Sequence, residues 1–127
     1  NARVVYHAAL SHASNHLVTL IAQSQDMLAE AGIENPGQFL GPLTSASLDN
    51  ALRWGDGALT GPVSRGDAAT VASHVSGLAG AAQSATQRSG VETYVALAKA
   101  TAIRAASSQR ITAGQADAVL DALASDD

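Results

Sequence analysis

The chain has 127 residues, a formal net charge of −4 and no cysteine. That length suits one domain with a proper core and is too short for two. The charge leaves no basic stripe for nucleic acid, and the absence of thiols excludes disulfides and thiolate metal sites.

Hydrophobic residues make up 46% of the chain but aromatic ones only 3%. That alanine-dominated mixture favours closely packed helices over a sheet of aromatic and β-branched residues. No apolar run approaches the length of about 20 residues that spans a bilayer, and no signal-peptide pattern opens the chain. The expectation is a cytoplasmic domain with no membrane partner. The chain opens at Asn1 and enters a helical pattern almost at once, so it reads as a piece of a longer protein.

The first helix is expected from about Arg3 to Ala31, with Leu10, Ala13, Leu17, Leu20, Ile21, Ser24 and Leu28 as a buried stripe at three-four spacing. Gly32 is placed to end it as a left-handed cap. Residues 33–42 carry two prolines and read as a loop with one short turn. A second helix is expected over about 43–54, with Leu48, Ala51 and Leu52 inward. The breaker-rich segment GDGALTGPVSRG follows, and Asp67 then reads as the N-cap of a third helix with Val71, Val75, Leu78 and Ala82 on its apolar side. Gly90 marks a break before a fourth helix over about 91–107, which buries Val91, Tyr94, Val95, Ala98, Ala102 and Ile103. The last helix opens on a capping box of Thr112 and Gln115, with Ile111 and Ala116 as a hydrophobic staple. It ends in an acidic tail, Ser125 to Asp127, expected to fray. No strand and no fixed-period repeat is evident. The fold class is all-α, a five- to six-helix bundle.

The stretch HAALSHASNHL, His7 to Leu17, carries three His, two Ser and an Asn inside an otherwise apolar helix pattern. At about 100° per residue, His7, Ser11, Ser14 and Asn15 fall in one wedge beside the apolar stripe. Such groups can bind a carboxylate, carbonyl or hydroxyl of a small substrate, and His7 can transfer a proton near neutral pH. The same row also suits plain helix-surface or interhelical hydrogen bonding. His12 and His16, again at i, i+4, have the spacing of a metal pair. A catalytic zinc site needs a third ligand, however, and no HExxH is present. They are expected to face solvent or a subunit contact, with no metal site.

The Gly-rich loop lacks GxxxxGK[ST] and the GxGxxG that follows a strand, so it is a weak phosphate cradle. Within it Arg65, just before a helix N-terminus, can clamp an anionic substrate. His74 shares the flank of Asp67 and Thr70. Asp49 and Asn50 either line a pocket or cap local turns, and Asp49 has no carboxylate partner of the glycosidase kind. GxSxG and any Ser-His-Asp order are absent.

The strings YHAALSHASNHLVTL, LTSASLDNAL and ALTGPVSRGDAATVASHVSGL resemble the helical C-terminal domain of bacterial oxidoreductase-like proteins. Those proteins pair it, as a domain of unknown function, with an N-terminal Rossmann-like domain. The resemblance covers nearly the whole chain. More distantly the chain is similar to the C-terminal domains of ketopantoate reductases, hydroxyisobutyrate dehydrogenases and pyrroline-5-carboxylate reductases. It implies a fold of the 6-phosphogluconate dehydrogenase C-terminal type, in which an all-α domain dimerises and closes over the nicotinamide. Ketopantoate reductases carry Lys-x3-Asn-x3-Asn on the first helix of this domain. His7 falls at the Lys, Ser11 at the first Asn and Asn15 at the second, with two of the three identities changed.

The resulting expectation is a single helical domain over residues 1–127 that shapes the substrate site and dimerises. It would serve an NAD(P)-dependent oxidoreductase acting on a small 2-oxo or 2-hydroxy acid. His7 and Asn15 are the catalytic candidates, and Ser11, Ser14, Asn50, Ser64 and Arg65 the substrate contacts. NAD(P) would be bound mainly by the N-terminal Rossmann-like domain, since nothing here binds a dinucleotide alone. The alternative is a non-catalytic homodimerising module of the same fold.

Overall fold

The computed structural model describes residues 1–124, and the described residues contain helices and no strand. In chain order these are α1 (Ala2–Glu30), α2 (Pro36–Trp54), two 3-10 turns (Gly55–Ala58 and Val63–Arg65), α3 (Ala68–Ala81), α4 (Ala85–Ser107) and α5 (Ala113–Leu123). The all-α reading and the count of five helices agree with expectation. The expected fraying of Ser125 to Asp127 lies outside the described residues. None of the described helices is long and apolar enough to cross a membrane. The chain divides into two compact units, residues 1–40 and 41–127.

The first unit is α1, a short connection and the opening turns of α2. Asn1 caps α1 by accepting the Arg3 amide at 2.8 Å, which satisfies one of the donors every helix start leaves open. At the other end Gly32 takes φ +95°. Its N–H donates to the Ala29 carbonyl while Ile33 N–H donates to that of Leu28, both at 3.0 Å. That reciprocal pair is a Schellman motif, and its left-handed position suits glycine.

Burial of the expected stripe does not follow. Leu10, Leu17 and Leu20 are 50%, 42% and 37% exposed, and only Ile21, Ser24 and Leu28 are even half-buried. The reason is length. α1 has 29 residues, about 44 Å at 1.5 Å per residue, and the only other helical segment of its unit is the stretch from Pro36 to Leu40. Leu40 and Gln23 are the buried side chains there.

The expected loop over residues 33–42 is instead the start of a helix. Pro36 opens α2, where a missing N–H costs nothing, and the Asn35 carbonyl accepts the Phe39 amide at 3.0 Å. Pro42 lies inside the helix. The division between the units falls just before it, where the ladder lacks one donor.

In the second unit the core lies among α3, α4, α5 and the turn at Val63. Val63, Val71, Ala98, Ala102, Val119 and Leu123 form one buried cluster, with Val75, Tyr94 and Val95 packed against it. Ala105, Ile111 and Ala116 form a second, so the expected staple residues meet in the core. Alanines on α4 let the helices approach closely, as the composition suggested. Asp67 caps α3, and the Thr112–Gln115 capping box opens α5 as expected.

Three expectations fail here. Leu48, Ala51 and Leu52 are exposed rather than inward, because the core is built without them. Gly90 does not break the chain but lies buried inside α4. A second capping box, Ser84 with Gln87, starts that helix six residues before the expected position, and its reciprocal bonds outweigh a glycine penalty of about 1 kcal/mol. Ile103, expected inside, is 59% exposed.

Gly66 joins the turn to α3 with φ +73°, and a Cβ there would stand 3.0 Å from Gln115 Cβ. The position therefore needs glycine twice over, for its backbone and for the space against the α5 capping box.

Candidate functional site

On α1 the polar row is real and internally bonded. Asn15 Nδ2 donates to Ser11 Oγ at 3.4 Å. Ser14 Oγ lies 2.6 Å from the Leu10 carbonyl and 3.2 Å from Asn15 Oδ1, so its single proton has two acceptors to choose between. Ser14, Asn15 and Ser11 thus form one chain of contacts along the helix. His7, one turn earlier, is exposed and meets the Tyr6 ring edge-on at 5.6 Å. Three-four spacing brings these four residues onto one side, and the neighbouring apolar stripe stands open beside them.

The substrate-side candidates of the second unit are held differently. Val63, anchored in the core, fixes the turn before Gly66. Ser64 is buried, and its hydroxyl donates to the Gly61 carbonyl at 3.0 Å. Arg65, the next residue, is exposed. Asn50 is exposed on α2, and its neighbour Asp49 pairs with Arg53 one turn on, at 3.2 Å.

Around the start of α3 lies a cluster that sequence reading caught only in part. Thr70 donates to Asp67 with both its amide, at 3.1 Å, and its hydroxyl, at 2.7 Å. The Thr70 hydroxyl, then its amide, hold the Asp67 carboxyl below the usual aspartate range, and the nearby charges of Arg65 and His74 add to this. His74 Nδ1 shares a hydrogen bond of 2.9 Å with the Tyr94 hydroxyl, with the rings edge-on at 5.9 Å. Burial raises the Tyr94 phenol above its ordinary value. The spacing of His74 from Asp67 and Thr70 is legible on a helix. Its pairing with Tyr94, twenty residues away, has no local signal and depends on how α3 meets α4.

A second contact set was also missed. Arg104 reaches Asp56 at 2.7 Å, and Arg110 donates to the backbone carbonyls of Asp56 and Gly57 at 3.2 and 2.7 Å. These two arginines hold the Gly-rich turn by its carbonyls and its carboxylate. Gln109, at φ +63°, makes the bend that turns the chain into Arg110. The loop's opening turn is therefore clamped by two cations at its carbonyl and carboxylate oxygens.

A family model described as a domain of unknown function (DUF2520) matches residues 1–101, from the start of α1 into α4. No curated protein matches the chain, and neither does any solved structure.

Proposed function

The chain belongs to the DUF2520 domain family, and from that premise we propose that it is the helical, substrate-shaping and dimerising domain of an NAD(P)-dependent oxidoreductase. The observation that carries this reading is on α1. A linked row of hydroxyl and amide groups, with the His7 imidazole one turn before it, runs beside an apolar stripe whose Leu10, Leu17 and Leu20 are left exposed. An exposed apolar patch rimmed by polar groups is the mark of an interaction surface. We assign the stripe to a second copy of the chain and the row to a small 2-oxo or 2-hydroxy acid.

In this reading His7 delivers a proton to the carbonyl oxygen as the carbonyl carbon is reduced. Ser11, Ser14 and Asn15 orient that oxygen, and on the second unit, taken by itself, the exposed Arg65 is a candidate anion contact. The described residues include no strand leading into a Gly-rich turn, so they do not fit a dinucleotide by themselves. In this reading the hydride would come from a nicotinamide held by an N-terminal Rossmann-like domain, and the protein would work in the cytoplasm.

The test is NAD(P)H oxidation by the longer protein that carries this domain, with a panel of small 2-oxo acids. His7→Ala is expected to lower kcat/KM, and an unchanged value removes His7 from the chemistry. One observation favours a second reading, a homodimerising module without catalysis. The hydroxyls of Ser14 and Ser64 both lie against carbonyls of their own helix or turn. Dimers by light scattering with no turnover on any substrate of the panel would select that reading.

A further inference from the structure

His12 and His16 take no part in the reading above. At about 100° per residue they project from the side of α1 opposite His7, with His16 one turn before Leu20 at the edge of the apolar stripe. Both are exposed. Their Nδ1 atoms stand 2.8 Å apart, with the ring planes at 79° and the centroids at 5.0 Å. Two neutral imidazoles in that contact differ in tautomer: one carries the proton on Nδ1 and the other presents a lone pair. Moving that proton to the same ring's Nε2 through water leaves two lone pairs one turn apart, with no net change in charge.

We propose that His12 and His16 form a two-imidazole chelate for a divalent cation of the copper or nickel type, with water in the remaining positions. Imidazole nitrogens are ligands suited to these ions. With metal–nitrogen bonds of about 2.1 Å, the 2.8 Å separation of the two nitrogens subtends an angle of about 84°, close to the right angle of square-planar and octahedral sites. Tetrahedral zinc would need the nitrogens opened to about 3.4 Å and two further ligands. Among the described residues, no group of three or more His, Cys, Asp and Glu side chains is placed to hold an ion, so a closed zinc site is not what this pair builds. The sequence from Val4 to Gln25 contains no Lys, Arg, Asp or Glu. No cation on that stretch of helix repels the metal, and no carboxylate there competes for it. Bound metal would cross-link one turn of α1 in the half that its own unit leaves exposed.

The experiment is titration of the tag-free protein with copper(II), followed by calorimetry and electron paramagnetic resonance. One ion per chain is expected, with nitrogen hyperfine structure from two imidazoles. Either His12→Ala or His16→Ala should weaken binding by about 10²-fold, the loss of the chelate advantage. His74→Ala, a histidine outside α1, should leave binding at the wild-type level. Both substitutions lie at exposed helix positions that alanine suits, and circular dichroism verifies the fold. Binding that survives both alanine variants, or a copper spectrum without two-nitrogen coupling, overturns the proposal. So does zinc binding tighter than copper. None of these readouts involves turnover, so failure here is separate from failure of the oxidoreductase reading.

Discussion

If a second copy covers the open stripe of α1, trimming that stripe must weaken association by a calculable amount. Leu10 is 50% exposed and Leu17 42% exposed in the single chain. Fully burying a leucine is worth about 1.5–3 kcal/mol, so covering the remaining half of each side chain contributes about 1 kcal/mol. A two-fold interface counts every residue twice. The double variant Leu10→Ala/Leu17→Ala therefore removes about 4 kcal/mol from dimerisation, or roughly a 10³-fold rise in Kd. Alanine is the best helix former, and neither position is buried, so the helix itself should persist. Sedimentation equilibrium over a dilution series reads the Kd, with far-ultraviolet circular dichroism as the control on folding. A wild-type protein that sediments as a monomer at every concentration refutes the reasoning outright. A dimer whose Kd ignores both truncations shows that the contact uses another surface, such as the exposed Leu48, Leu52 and Trp54 of α2.

Two further outcomes follow from particular backbone and charge positions. Gln109 occupies the left-handed region at φ +63°, with its N–H donating to Ala106 and that of Arg110 to Ala105. Gln109→Gly relieves about 1–2 kcal/mol of backbone strain against an entropy cost of about 0.5–1 kcal/mol. The net effect should raise the urea midpoint, and a lower midpoint would contradict the strain argument. Asp67 has a lowered carboxyl in the folded chain, held by the two Thr70 donors. Its contribution is therefore present above the unfolded aspartate value of about 3.9 and lost as pH falls through the lower folded value. Asp67→Asn, which keeps a capping oxygen without the titration, should flatten the acid limb of the stability–pH curve below about pH 4. An acid limb identical to wild type would remove Asp67 from it.

Local chemistry carried much of the fold in the sequence. The Gly32 terminus, the Asp67 cap and the Thr112–Gln115 box are all legible because each uses residues within a few positions of one another. The alanine-rich, nearly aromatic-free composition pointed to helices alone. The Ser11–Ser14–Asn15 row was legible for the same reason, since helical spacing by itself puts those side chains together. The errors came where a local rule met a stronger neighbour. Pro36 opened a helix instead of prolonging a loop, and the Ser84–Gln87 box carried α4 through Gly90.

Periodicity shows which residues share a side of a helix, but it does not show whether anything lies against that side. Leu10, Leu17 and Leu20 of the α1 stripe and the inward set of α2 had regular spacing and little cover, while Val71 and Val75 of α3 had both. Burial is a relation between segments distant in the chain, and only their packing decides it. The same holds for the His74–Tyr94 bond and for the grip of Arg104 and Arg110 on the turn at Asp56. Their partners are set by where α4 meets its neighbours, which no residue spacing encodes.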